Sequence, residues 1–280
     1  MRAALVSAFL ILAAILIIAL IPTRKNLRKE SPSISNDEVK RVKIVILVDN
    51  NAGEPGLRAA WGFSAFIEAD GKKILFDTGP DPSTLKHNCQ MLGINLSELD
   101  LVVLSHEHGD HTGGMAYVKE VAPGIPVYIP SNSPYLLDRL KKMGFDVRIS
   151  EDPTELAPGI ITTGSMRGPP MEQGLIIRVK GLGSILLTGC AHPGIETMAL
   201  RTSNLTGKVF AVMGGFHLIG ASKHRLEGIK KVFLELKVDK VFPMHCSGDT
   251  ARAFFKKEMP NAYGDGHVGL AVEFSEGRSP

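Results

Sequence analysis

The sequence predicts an α+β fold in which sheets are covered by helices. Strand candidates come as hairpins with tight turns, at Asp70-Gly71 and around Gly181-Leu182-Gly183. Helix candidates fall between them without the strict strand–helix alternation of a doubly wound parallel sheet. The size fits. The chain has 280 residues, 44% hydrophobic and 22% charged, enough for one large domain or two small ones. The net charge of +3 is too mild to argue for nucleic acid.

In chain order, residues 3–22 come first and are almost unbroken in apolar side chains, including Phe9-Leu10-Ile11-Leu12 and Ile15-Leu16-Ile17-Ile18. About 20 such residues can cross a bilayer as a helix. The run ends Ile18-Ala19-Leu20-Ile21-Pro22, without the small-residue pattern of a cleaved signal peptide, which is the rival reading. Arg24, Lys25, Arg28 and Lys29 follow the run and Arg2 precedes it, which favours a cytoplasmic C-terminal side. The expectation is a single-pass membrane protein: a transmembrane anchor over 1–22, a polar linker over 23–41, and a catalytic domain over 42–280 on the cytoplasmic side.

Within that domain, 43–48 reads as a strand ended by Asp49-Asn50-Asn51. Residues 63–69 and 72–76 form the first hairpin, and 82–92 a helix closed by Gly93. The apolar run 101–104 is a strand, and Thr112-Gly113-Gly114 turns into a helix. Residues 126–129 read as a strand and 133–143 as a helix closed by Gly144. Residues 175–179 and 185–188 make the second hairpin. Helices over 195–201 and 222–236 then alternate with strands over 208–213 and 238–242, and 270–274 closes the chain.

The stretch Ser105-His106-Glu107-His108-Gly109-Asp110-His111 carries the chemistry. Imidazoles and a carboxylate suit zinc or another borderline divalent metal. Nine histidines are spread over the whole chain, so three within six positions is unlikely by chance. At a strand end His106 and His108 point the same way, because side chains repeat every two residues. A turn through Gly109 can aim Asp110 and His111 at a second position. The three cysteines, Cys89, Cys190 and Cys246, are too sparse for a disulfide framework. Cys190 and Cys246 lie beside motif histidines and read as site residues, whereas Cys89 reads as a buried side chain on a helix. Neither a Walker nor a Rossmann glycine loop is present, nor the G-x-S-x-G element of a serine hydrolase.

The H-x-H-x-D-H block resembles the metallo-β-lactamase superfamily. Trp61-Gly62-Phe63-Ser64, Phe76-Asp77-Thr78-Gly79, Thr188-Gly189-Cys190-Ala191-His192-Pro193-Gly194, Gly214-Gly215-Phe216-His217-Leu218 and Pro243-Met244-His245-Cys246 follow in the order that superfamily shows. The W-G-F-S, G-C-x-H-P-G and G-G-F-H-L elements look like its dihydropterin / ribofuranosylaminobenzene-phosphate synthase-like branch. The resemblance spans about residues 42 to 275. It implies a four-layer αββα sandwich with the site at one edge. It also implies a hydrolase-like enzyme, or a synthase for a phosphorylated, pterin-related or aromatic ribosyl substrate, small and anionic.

The resemblance implies two divalent metal ions, zinc first, with iron or manganese as alternatives. His106 and His108 would hold one ion. With no histidine between His111 and His192, His192 becomes the third ligand. Asp110, His111 and His245 would hold the second, and Asp110 would also act in catalysis. Cys190 is a departure, because hydrolytic relatives carry a bridging aspartate after T-G. Its thiolate could be a ligand, could leave the bridge to solvent, or could weaken one site. Asp77 could orient a histidine ligand or be a turn carboxylate. His217 could touch substrate, act as an acid, or be structural. An iron-binding redox protein and a non-catalytic metal-binding module on the same fold are the alternatives.

Overall fold

The computed structural model describes residues 34–277. Strands β1 (Arg41–Val48), β2 (Ser64–Ala69) and β3 (Lys72–Phe76) form an antiparallel meander. The β2–β3 turn places Asp70 and Gly71 both at positive φ, 46° and 86°, the backbone that a two-residue hairpin needs. Helix α1 (Pro82–Met91) starts on Asp81, whose carboxylate accepts the Thr84 N–H, with proline in its first turn. β4 (Leu101–Val103) is followed by two short helices, α2 (Gly109–Thr112) and α3 (Met115–Val121). β5 (Pro126–Ile129), α4 (Pro134–Lys142) and β6 (Asp146–Ile149) come next. The second half runs through β7 (Glu155–Ala157), β8 (Ile160–Thr162), β9 (Leu175–Val179) and β10 (Gly183–Thr188). It continues with α5 (Ile195–Thr206), β11 (Val209–Gly215), α6 (Lys223–Glu235), β12 (Lys240–Met244), α7 (Gly248–Glu258) and β13 (Ala271–Ser275).

The strands make two sheets, in the orders β13-β1-β2-β3-β4-β5-β6 and β12-β11-β10-β9-β8-β7. Each is antiparallel on one side and parallel on the other, with β3 to β6 and β10 to β12 parallel. Three apolar clusters set the layers. One joins the sheets face to face and includes Ile44, Ile67, Phe76, Ile177, Leu187 and Phe274. A second packs the outer face of the first sheet on helices, through Leu85, Cys89, Val118 and Leu136. The third does the same for the second sheet through Met198, Ile229, Phe233 and Phe255. Helices, sheet, sheet and helices therefore stack in the expected order, because each strand alternates its side chains between the two faces.

Two expectations change. The packed chain begins before Val42: Val39 is buried and bridges Val179, and the Ser35 N–H donates to Glu155 at 2.9 Å. The apolar segment 3–22, read as a membrane anchor, lies outside the described residues. Among the described residues no helix is long and apolar enough to cross a membrane. The longest of them, α6, has 13 residues, against about 20 needed to span a bilayer. The expectation of a single-pass membrane protein with a cytoplasmic domain, and of the membrane as a partner, is corrected on that finding.

Candidate metal centre

The C-terminal ends of six strands converge on one edge of the two sheets. β1 leads into Asp49 and β3 into Asp77, and β4 leads into His106 and His108. β10 leads into Cys190 and His192, β11 into His217, and β12 into His245. Asp110 and His111 ride on α2, so the start of a helix, not a plain loop, aims them.

The expected ligand residues meet in two sets. His106, His108 and His192 bring ligand atoms within 4.8 Å of one another, and so do Asp110, His111 and His245. The His106 ring stands 4.6 Å from those of His108 and His192, and 4.1 Å from that of His111. Cys190 lies between the sets, with Sγ 3.3 Å from His111 Nε2 and grouped with His106 and His111. The exposed His217 holds its ring 4.6 Å from that of His192, tilted at 45° to it. His106, His111, Cys190 and His245 are buried.

Buried carboxylates mount these donors from behind. Asp77 accepts the His111 Nδ1–H at 2.7 Å, the Ser105 N–H at 2.7 Å and the Ser105 hydroxyl at 2.6 Å. This fixes His111 with Nε2 toward the centre, so Asp77 takes the orienting role considered for it. Glu172 does the same for His192, accepting its Nδ1–H at 2.7 Å. It also accepts the backbone N–H groups of Cys190, Ala191 and His192 at 2.8–2.9 Å. Asp49 accepts the His245 N–H at 2.7 Å, and the Asn50 side-chain oxygen meets His245 Nδ1 at 3.0 Å. Glu172, Asp49 and Asn50 carried no signal of a site role in the sequence: Asp49 and Asn50 read only as the end of a strand, and all three lie far in sequence from their partners. Asp77, Ala191, His217 and His245 are held at positive φ of 45–58°, strain of the kind that gathers at functional sites.

The electrostatics suit a cation. Burial, then the charge of His111, pulls the His106 imidazole well below its ordinary value, which favours the neutral form that a metal would need. Burial and His192 do the same for His108. At His111 burial acts downward, but the Asp77 carboxylate outweighs it and raises the imidazole. Burial opposes ionisation of Glu172, yet the hydrogen bond from His192 and the charge of His106 hold it well below the carboxylate range. The hydrogen bond with Cys246 and burial push the Cys190 thiol up, so a thiolate there needs a cation beside it. His245 Nε2 is buried without a hydrogen bond, 3.4 Å from Asp110 Oδ2 but not aligned with it. A divalent cation would satisfy both atoms, and the residues present fit one.

A cleft borders each set. An open one of about 700 Å³ is lined by Glu107, Asn132, Arg167 and Met171 among others. Gly168 beside it packs so closely on His192 that an added Cβ would lie 2.6 Å from the His192 Cβ. The other, of about 350 Å³, is lined by Asn50, Trp61, Ile219, His245 and Gly248 among others.

Comparison with known proteins agrees with this architecture. The profile of the metallo-β-lactamase superfamily matches residues 62–245. The chain is similar to 7,8-dihydropterin-6-methyl-4-(β-D-ribofuranosyl)-aminobenzene-5′-phosphate synthase of Methanocaldococcus jannaschii, at 30% identity over 85% of this chain and 98% of that protein. An uncharacterised protein of the same organism is 33% identical over 82% of this chain and 99% of its own length. A solved structure described as a metal-dependent hydrolase of the β-lactamase superfamily superposes with a TM-score of 0.70 at 27% identity. It covers 84% of this chain and 99% of its own.

Proposed function

The chain belongs to the metallo-β-lactamase superfamily, and from that premise we propose that it is an enzyme dependent on two divalent metal ions, zinc first, acting on a small anionic substrate. One observation carries the reading: two complete donor sets, His106/His108/His192 and Asp110/His111/His245, converge with Cys190 between them. When bound, the ions would lower the pKa of water toward about 7 and polarise a substrate oxygen.

The remaining roles belong to the chain. Asp77 and Glu172 hold His111 and His192 in the tautomer that turns Nε2 inward. The hydrogen bond with Cys246 raises the His217 imidazole, and this exposed side chain at the mouth is the candidate acid toward a leaving group. Arg167, exposed on the first cleft, has no ion-pair partner among the described residues and supplies a cation for an anionic group. Asp110 serves as ligand, and its carboxylate faces His111 and His245 at 3.7 and 3.4 Å.

The reaction divides into two readings. Hydrolysis follows from the donor sets. A synthase role on a phosphorylated, pterin-related or aromatic ribosyl substrate is favoured by two points. Cys190 stands where hydrolytic relatives bridge with aspartate, and the synthase relative aligns along 98% of its own length.

The test is elemental analysis of the purified full chain. Wild type is expected to hold up to two equivalents of divalent metal, and His106→Ala with His108→Ala should lose at least one. Unchanged metal content in the double variant would remove the basis of this reading. Iron as the resident metal would move the reading to redox chemistry.

A further inference from the structure

We propose that Trp61 and Ile219 form the walls of a subsite that takes the flat aromatic ring of the substrate, beside the second donor set. The assignment rests on the reading of those donors as a metal centre. It adds where the substrate's ring lies and which side chains select it.

Trp61 is the only tryptophan of the sequence, and it is 53% exposed. Ile219 is 61% exposed. Large apolar side chains are normally covered, and here two of them line one cleft of about 350 Å³. The cleft reaches the chemistry directly, because His245 lines it and the Trp61 ring stands 4.8 Å from the His245 ring.

Both walls are built in place. Gly62 brings the Trp61 segment against α2: an added Cβ there would meet the Asp110 carbonyl oxygen at 2.4 Å. The Phe63 N–H donates to the same carbonyl at 3.3 Å. At the Ile219 segment the Leu218 N–H donates to the Cys246 carbonyl at 3.0 Å. Gly248, at φ +75°, closes under Ile219, where a Cβ would lie 2.8 Å from Ile219 Cγ1. The tryptophan is thus held by the same carbonyl that belongs to a proposed ligand residue, and the isoleucine by the turn that carries His245. An aromatic face and an aliphatic side chain lining one cleft favour a planar ring over a polar, puckered sugar. The polar lining of the cleft comes from Asn50, Asp249 and Thr250.

The test uses the full chain and two probes, pterin as the ring alone and ribose 5-phosphate as the anion alone. Pterin should quench the fluorescence of the single tryptophan in wild type, and ribose 5-phosphate should not. Pterin affinity, followed by the anisotropy of its own emission, should fall about tenfold or more in Trp61→Ala. It should stay within about threefold of wild type in Trp61→Phe, which keeps an aromatic face. Ile219→Ser should weaken pterin in the same direction as Trp61→Ala.

Wild-type pterin affinity in a folded Trp61→Ala protein would overturn the assignment. So would equal losses in Trp61→Phe and Trp61→Ala, or a change of oligomeric state in Trp61→Ala with pterin affinity intact, which would make the patch a protein contact. Metal content measured on the same samples separates the two readings. Unchanged metal content in the His106→Ala/His108→Ala variant refutes the centre, whereas unchanged pterin affinity in a metal-loaded Trp61→Ala refutes only the subsite.

Discussion

Glu172 bears on the centre more than any other residue that does not face it. One carboxylate accepts three consecutive backbone N–H groups and the His192 ring, so it sets both the turn and the tautomer. In Glu172→Gln an amide replaces one acceptor oxygen with a donor, which then faces N–H groups. Metal affinity of the first set is expected to drop about 10- to 100-fold, measured by competition with a chelator. An unchanged affinity would mean that the backbone alone fixes His192. Cys190 poses a different question, since its sulfur lies 3.3 Å from His111 Nε2. Cys190→Ser should weaken binding of the second ion. Cys190→Asp should shift preference from zinc or iron toward magnesium or manganese, because a carboxylate is the harder ligand. Identical metal content and preference in both variants would make Cys190 a packing residue. The candidate donors were legible as a cluster, because four of them crowd into six residues, while Cys190, His192 and His245 were singled out through the family resemblance. Their carboxylate mounts were only partly so. Asp77 lies in a recognisable strand-end motif, whereas Glu172 is a lone acid whose partners are brought to it only by the packing of the second sheet.

α1 shows how an element's burial becomes a pH dependence. Cys89 on its inner face is fully buried against the first sheet, and burial pushes its thiol from 9.0 up to about 12. The folded chain therefore keeps a proton that the unfolded chain releases above about pH 9. The contribution to stability is complete below that pH and is lost as pH rises toward about 12, at about 1.4 kcal/mol per pH unit. Cys89→Ala should flatten this alkaline slope, seen in urea unfolding between about pH 9 and about pH 11. Equal slopes for the two proteins would show that the thiol ionises alike in both states. Elements with a strong period or a clear stop signal, such as α1, α6 and both hairpins, were legible. Those left unread lacked such signals. β6 reads Asp-Val-Arg-Ile and lies on a sheet edge, largely exposed, so it shows no apolar face. β7 and β8 have three residues each, too few for a pattern. α7 buries only Ala251 and Phe255, one turn apart, and follows the His245 motif without a side-chain cap.

At the scale of the molecule, the centre ties the two sheets together. His106, His108, Asp110 and His111 come from the half of the chain that builds the first sheet, and Cys190, His192 and His245 from the half that builds the second. An ion held by both halves stabilises only the state in which they are packed. At a free concentration 100 times its Kd the gain is about 2.7 kcal/mol, and a domain of this size answers with roughly 5–10 °C in Tm. Stripping the wild-type chain with EDTA should lower Tm by that amount, whereas the His106→Ala/His108→Ala variant should respond much less. A Tm indifferent to EDTA in a metal-loaded wild type would show that the sheets hold together without the ions. Sheets covered by helices were legible from the hairpins and helices in the sequence, and the four-layer plan followed from the family resemblance. The location of the protein was not legible, because the apolar run that suggested it lies outside the described residues.

The division of donors between the halves also has a consequence in time. A ribosome makes His106 to His111 together, then about 80 further residues before Cys190, and more than 130 before His245. A nascent chain therefore carries a half-open clasp for much of its synthesis, with His111 and Asp110 waiting for a partner that emerges near the end. The second ion can be locked in only after translation has passed the last strand of the second sheet. Occupancy of the second position would then record that the chain has been made through His245 and that its two sheets have packed.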